Sequence, residues 1–230
     1  MLSLPIKLKL PAAALPANIN RRRAMSAAAM LILLSSATTA RAEPLVLSAA
    51  DKVLVTQIES YLNAQKGLTA NFLQVDANGA TRTGKAWLQR PGKMRFAYDA
   101  PDPQLLVAGF GLLVYHDPQL DQTTNIPLSA TPLGILLAPH VDLESKSVYI
   151  TNINRQPGQI DISLVRRGKE AAGTLTLSFS TAPLELQAWI VTDAQGKQTS
   201  VHLYDIAPGG PFPDTLFEYF PDTDSSASGG

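Results

Sequence analysis

Apolar residues recur at three-to-four spacing near the start of this chain, at Leu47, Ala50, Leu54, Ile58, Tyr61 and Leu62. That spacing predicts an amphipathic helix with one face laid on something apolar. Ser48 with Asp51 reads as a capping pair, and Gly67 after Lys66 as the helical stop. From Leu68 onward the period falls to two. Met94, Phe96 and Tyr98 alternate with Lys93, Arg95 and Ala97; Ile160, Ile162 and Leu164 with Asp161 and Ser163; Leu175, Leu177 and Phe179 with Thr174, Thr176 and Ser178. These are the marks of half-buried antiparallel strands. Turn signals stand between such runs at Asn78-Gly79, Pro91-Gly92, Pro157-Gly158, Arg167-Gly168 and Gln195-Gly196, so an antiparallel meander of roughly ten strands is expected.

A second, short helix is expected between Thr131 and Pro139, with Thr131 as its cap and Pro132 at its first position. Its residues Leu133, Ile135, Leu136 and Leu137 are apolar nearly all round and must be covered on most sides. Ala207 to Asp214, rich in Pro and Gly, reads as a loop, and residues 222–230 as a disordered tail. The fold class is mainly β, of the α+β type. One long and one short helix cannot cover the apolar face of so many strands. Either the sheet closes on its own side chains, or it curves around a space that something else fills.

The N-terminus changes the compartment. Arg21, Arg22 and Arg23, an apolar stretch from Ala24 to Ser35, and Ala40-Arg41-Ala42 make the three parts of a cleavable signal peptide over residues 1–42. The apolar run is too short for a spanning helix, which needs about 20 residues. The arginines also suit twin-arginine export, but Ala24-Met25 continues that signal poorly, which favours the general secretory route. The expected mature domain is residues 43–221. The signal holds six of the 19 Lys and Arg and no Asp or Glu, which leaves 13 basic against 19 acidic residues, a net charge of −6. Nucleic-acid binding depends on basic surface and is not expected. The chain has no cysteine, so it carries no thiol nucleophile, no disulfide and no lipid-acceptor thiol.

Catalytic patterns are missing. His116, His140 and His202 stand apart in sequence without a partner at helical metal-site spacing, and there is no G-x-S-x-G elbow. Gly109-Phe110-Gly111 lacks the third glycine of a dinucleotide loop and reads as a hairpin turn. No enzyme activity, cofactor or metal is expected. The unusual local feature is a basic block, Arg82, Lys85, Arg90, Lys93 and Arg95, with no acidic residue between Asp76 and Asp99. It suits docking of an acidic partner or neutralisation of a head group, and equally a solvated strand face.

The order of these features resembles the LolA family of outer-membrane lipoprotein carriers. Phe72-Leu73-Gln74 looks like the family's F-x-Q strand, followed by Gly84, Arg90-Pro91-Gly92, Phe96 and Tyr98, Pro101 and Gln104, and Val114-Tyr115. Leu120-Asp121-Gln122-Thr123, Thr131-Pro132 with its leucines, and Phe217-Glu218-Tyr219-Phe220-Pro221 continue the likeness. Where the family favours a tryptophan after the R-P motif, this chain has Phe96 or Tyr98, and a Ser/Gly tail replaces a C-terminal extension.

The resemblance implies an incomplete antiparallel β-barrel with an N-terminal helix and a short helical lid over an apolar cavity. It implies a monomeric periplasmic carrier that takes acylated lipoproteins from an inner-membrane ATP-driven release complex to an outer-membrane acceptor; a carrier of another lipid or hydrophobic molecule is the alternative. The cavity is expected to be lined by Met94, Phe96, Leu105, Val107, Leu133, Leu136, Leu137, Leu175, Leu177 and Phe179. Arg90 is expected to latch the lid through backbone carbonyls, and Arg82, Lys85, Lys93 and Arg95 to dock the donor.

Overall fold

A computed structural model describes residues 43–220. The expected signal peptide (1–42) and disordered tail (222–230) lie outside the described residues.

Helix α1 (Ala49–Ala64) forms where the periodicity places it, with Val55, Ile58 and Leu62 buried along one stripe. Its capping box is complete: the Asp51 N–H donates to Ser48 Oγ at 3.2 Å and the Ser48 N–H to Asp51 Oδ2 at 2.9 Å. The other end differs from expectation. Gln65 closes the helix in an extended conformation, and Gly67 opens the first strand instead. A Cβ on Gly67 would stand 2.6 Å from the Gly209 carbonyl oxygen, so this glycine permits close backbone approach rather than a left-handed turn.

Eleven strands follow: β1 (Gly67–Val75), β2 (Thr81–Gln89), β3 (Lys93–Tyr98), β4 (Leu105–Gly109), β5 (Leu112–Asp117), β6 (Gln122–Pro127), β7 (Val148–Gln156), β8 (Gln159–Arg166), β9 (Thr174–Thr181), β10 (Leu184–Thr192) and β11 (Gln198–Pro208). Their spatial order is β6-β5-β4-β3-β2-β1-β11-β10-β9-β8-β7. Two antiparallel meanders are thus welded into one sheet where β1 pairs with β11. All five predicted turn dipeptides join successive strands, and Phe110-Gly111 makes the β4–β5 hairpin. The expected loop starts later than Ala207, because β11 runs to Pro208.

The sheet does not close, since β6 and β7 are its two edges. Between them the chain makes a 3-10 turn (Leu128–Ala130), helix α2 (Leu133–Leu136) and a descending limb to Ser147. Leu128, Leu133, Ile135, Leu136, Leu137, Val141 and Leu143 of this crossing belong to the same buried cluster as the inner strand faces, so it lies over the concave side as a lid. Thr131 does not cap α2. Its hydroxyl donates back to the Leu128 carbonyl at 2.9 Å, and Pro132 stands at the helix start without a side-chain cap.

Register decides which residues face inward, because residues directly opposite on antiparallel strands project to one side. Ala86, Phe96 and Leu106 are paired across β2, β3 and β4, as are Leu88, Met94 and Ala108. In the second meander Ile162, Leu177, Trp189 and Val201 lie in register across β8 to β11. These sets form the concave face and sit in the common core.

Candidate functional site: the lidded concave face

The inside of the half-barrel is apolar and dense with aromatic rings. Phe72 and Phe96 lie 4.5 Å apart between ring centres, Trp189 meets Phe96 edge-on at 5.8 Å, and Tyr61 of α1 meets Phe179 edge-on at 6.0 Å. Burial of side chains of this size contributes about 1.5–3 kcal/mol each. Of the expected lining, Met94, Phe96, Leu133, Leu136, Leu137, Leu175, Leu177 and Phe179 are all buried in this cluster. Phe72, Leu88, Trp189, Val201 and Leu203 join them without having been singled out from the sequence.

Leu105 and Val107 do not. They pair with Ala97 and Arg95 and so face the convex side; Leu106 and Ala108 take the inner positions. Val107 is nevertheless buried, because a 3-10 turn (Asp214–Phe217) lies against the outside of β3 and β4. A strand covered on both faces is apolar throughout, so β4 offers no alternation from which its parity can be read.

The expected cavity is also smaller than a cargo site. Its centre is filled by the rings just described, and the space beside α2 measures about 30 Å³, lined by Tyr61, Leu62, Gln65, Leu68, Leu88, Arg90, Leu136, Leu137 and Leu186. That holds about two waters. An acyl chain does not fit in this space.

Backbone and side-chain bonds hold the lid in place at several points. The Leu128 N–H donates to Gly111 O at 2.8 Å, and the Gly92 N–H of the β2–β3 turn to Leu137 O at 2.8 Å. From the end of β8, Arg166 Nε donates to Thr131 O at 3.3 Å, and from the turn after it Lys169 Nζ donates to Ser129 O at 3.1 Å. The descending limb is fastened to α1: Asn63 exchanges two 2.9 Å bonds with the Val141 backbone, and Glu59 accepts the Leu143 N–H at 2.7 Å. Burial raises the Glu59 carboxyl above its ordinary pKa, against the lowering by that N–H.

Arg90 lies at the mouth, on the inward side of β2. Its Nη2 donates to the Gln65 carbonyl at 2.6 Å, while Nη1 is buried without a partner. Burial depresses its pKa. The carbonyl it holds is therefore the end of α1 and not, as expected, the lid. At the opposite end of the concave face Tyr98 donates to Gln74 at 2.9 Å, and Arg82 is paired with Asp76 and lies 3.7 Å from Asp102. Burial pushes the Tyr98 phenol above its usual range.

Register also splits the basic block. Arg82 is opposite Gln74 and shares the parity of Gly84 and Ala86, whereas Lys85, Lys93 and Arg95 face outward. Lys93 is paired with Asp214 at 2.6 Å, Arg95 donates to Leu216 O at 3.1 Å, and exposed Lys85 lies over the Trp87 ring. Only the last three share an outer surface, and two of them are occupied by the C-terminal turn.

His116, one of three isolated histidines, is bonded to Tyr219 at 2.9 Å and Thr123 at 3.0 Å. Among the described residues no group of three or more metal-binding side chains converges, and no helix is long and apolar enough to cross a membrane.

Residues 63–220 match the family model described as outer membrane lipoprotein carrier protein LolA. The chain belongs to the LolA family. A LolA-family relative named outer-membrane lipoprotein carrier protein, from Pseudomonas paraeruginosa, is 31% identical over 167 residues, covering 68% of this chain and 78% of the relative. A protein of the same name from Pseudomonas putida is 29% identical over 203 residues, 83% of this chain and 94% of its own length. Among solved structures, a LolA superfamily protein from Nitrosomonas europaea aligns with a TM-score of 0.40 and 8% identity over 72% of this chain and 97% of its own. The open antiparallel sheet and the lipoprotein-carrier family now stand together, and the R-P motif of the LolA resemblance is the corner where Arg90 meets α1.

Proposed function

We propose that this chain binds the acyl chains of lipoproteins released from the inner membrane and delivers them through the periplasm to the outer membrane. The observation that carries the reading is the open eleven-stranded sheet whose concave face is lined by aromatic and aliphatic side chains and covered by the crossing between β6 and β7. Such a face suits cargo that cannot cross water bare, since each methylene left exposed costs about 0.8 kcal/mol. Binding alone accomplishes this; no bond is made or broken, and no catalytic role is assigned. Lid side chains and cargo compete for the same face: Leu133, Leu136 and Leu137 occupy it when the lid is down, and acyl chains replace them when it lifts.

In this reading residues 1–42 export the chain and are removed, and residues 43–221 work as a monomer. The donor is an ATP-driven inner-membrane complex and the recipient an outer-membrane acceptor. Outward-facing Lys85, with Lys93 and Arg95 beside it, provides the donor's docking side, while Arg82 is assigned to the inner polar end instead.

The test is mass spectrometry of what co-purifies with the protein from the periplasm. Lipidated polypeptides among the bound species support the reading; free lipid alone contradicts the lipoprotein assignment and leaves a lipid carrier.

A further inference from the structure

Arg166 closes β8 on the inward side, in the same parity as Leu164 and Ile162. It is not apolar like its neighbours on that face, and its half-buried guanidinium costs desolvation that depresses its pKa. The compensation is the lid backbone. Nε donates to the Thr131 carbonyl at 3.3 Å, and Nη2 stands 2.6 Å from the point a Cβ on residue 134 would occupy. Gly134 therefore does more than start a short helix. Any larger residue there would collide with the guanidinium and with the Leu128 carbonyl, 2.5 Å from the same point. Lys169, just past the end of β8, adds a second cationic donor on Ser129 O.

The two flanks of the lid are thus held differently. The first meander grips it through backbone hydrogen bonds, accepting the Leu128 N–H at the Gly111 carbonyl and donating the Gly92 N–H to Leu137, which no ordinary side-chain substitution removes. The second meander grips it through two long side chains, which release by changing rotamer. Arg90, in contrast, holds the end of α1.

We propose that Arg166, assisted by Lys169, is the positioning residue that tethers residues 128–136 to the second meander and sets how often the lid opens. The inference rests on the carrier reading only for its purpose; the tether itself is a property of the chain without cargo. A guanidinium suits the task because its donors are fixed in one plane, so the Nε–H is aimed at the Thr131 carbonyl, whereas an ammonium is a single point.

Hydrogen exchange on the mature chain without cargo tests it. In Arg166→Gln, the amides of Gly134, Ile135, Leu137 and Ala138, which are bonded within the lid, should exchange about tenfold faster. Amides of β9 and β10 should keep their rates. Arg166→Lys should fall between, and Lys169→Gln should accelerate the lid several-fold alone. Unchanged lid exchange overturns the proposal, and so does a parallel acceleration of every strand, which would make Arg166 a general stabiliser. If Arg166→Gln does not fold, the Lys variants decide the matter by the same criteria. Because no cargo is present, these outcomes are independent of which molecule co-purifies.

Discussion

Arg90 Nη2 donates to the carbonyl of Gln65 at 2.6 Å, which ties the end of β2 to the C-terminal end of α1 across the mouth of the concave face. The other terminal nitrogen is buried and unpartnered. Replacing Arg90 by Leu removes one charge-assisted bond together with the desolvation of a guanidinium. These oppose each other at roughly 1–3 kcal/mol apiece. Arg90→Leu should therefore fold with a denaturation midpoint close to the original, while an acylated peptide dissociates about tenfold more slowly from the more apolar mouth. Separate on- and off-rates from surface-immobilised protein check this; unchanged rates contradict it.

The inner face should be sensitive to truncation. Phe96 is 1% exposed and packed between Phe72 and Trp189. Phe96→Ala should cost roughly 3–5 kcal/mol in urea unfolding, and a loss below 1 kcal/mol would contradict the packing described.

Strand parity in β4 gives a sharper contrast. Leu106 points inward opposite Phe96, and Leu105 points outward opposite Ala97. Leu106→Glu should reduce acylated-peptide binding at least tenfold, because a carboxylate is placed on the apolar face. Leu105→Glu should leave binding unchanged. The reverse result would mean that β4 is read in the wrong register.

Much of this was legible from residue spacing: the helix from Ser48, the five hairpin turns, and the inward sets of β3, β8 and β9, each of which alternates apolar residues with mostly polar or small ones on its outer face. β4 was not legible, since Phe217 and its turn cover the outside as the core covers the inside. Nor was Gly67, whose reason is the carbonyl of Gly209, just past the end of β11 and far along the chain. The tether at Arg166 escaped for the same cause. An arginine before a turn looks solvated until the lid, 35 residues earlier in sequence, is laid beside it.

The cap of α1 provides a pH-dependent prediction. Hydrogen bonds from the Ser48 hydroxyl and backbone, then from Arg155, hold the Asp51 carboxyl down to about 2 from 3.8. A depressed carboxyl stabilises the folded chain above its unfolded pKa, and that contribution is lost as pH falls through the folded value. Ser48→Ala should raise the Asp51 titration midpoint toward 3.8, read by carbon NMR, and cost about 1 kcal/mol of stability at neutral pH from the lost cap. A midpoint that stays near 2 would assign the shift to the remaining Ser48 backbone N–H and Arg155 instead.

Glu59 should behave in the opposite sense. Its carboxyl is raised by burial above 4.5, so the folded state binds the proton more readily and stability declines as pH rises through that region. Glu59→Gln keeps an oxygen for the Leu143 N–H and should flatten this decline. Parallel curves for both proteins between acid and neutral pH would rule out Glu59 as its source.

The central claim is that acylated cargo occupies the concave face beneath the lid. A photoreactive benzoyl-phenylalanine placed at Phe179, fully buried on that face, reports on it inside living cells, with the same group at Leu105 on the outside as its control. Irradiation followed by mass spectrometry of the cross-linked species should give lipidated polypeptides from position 179 and none from position 105. Equal yields from both positions, or no acylated species from position 179, would contradict the account.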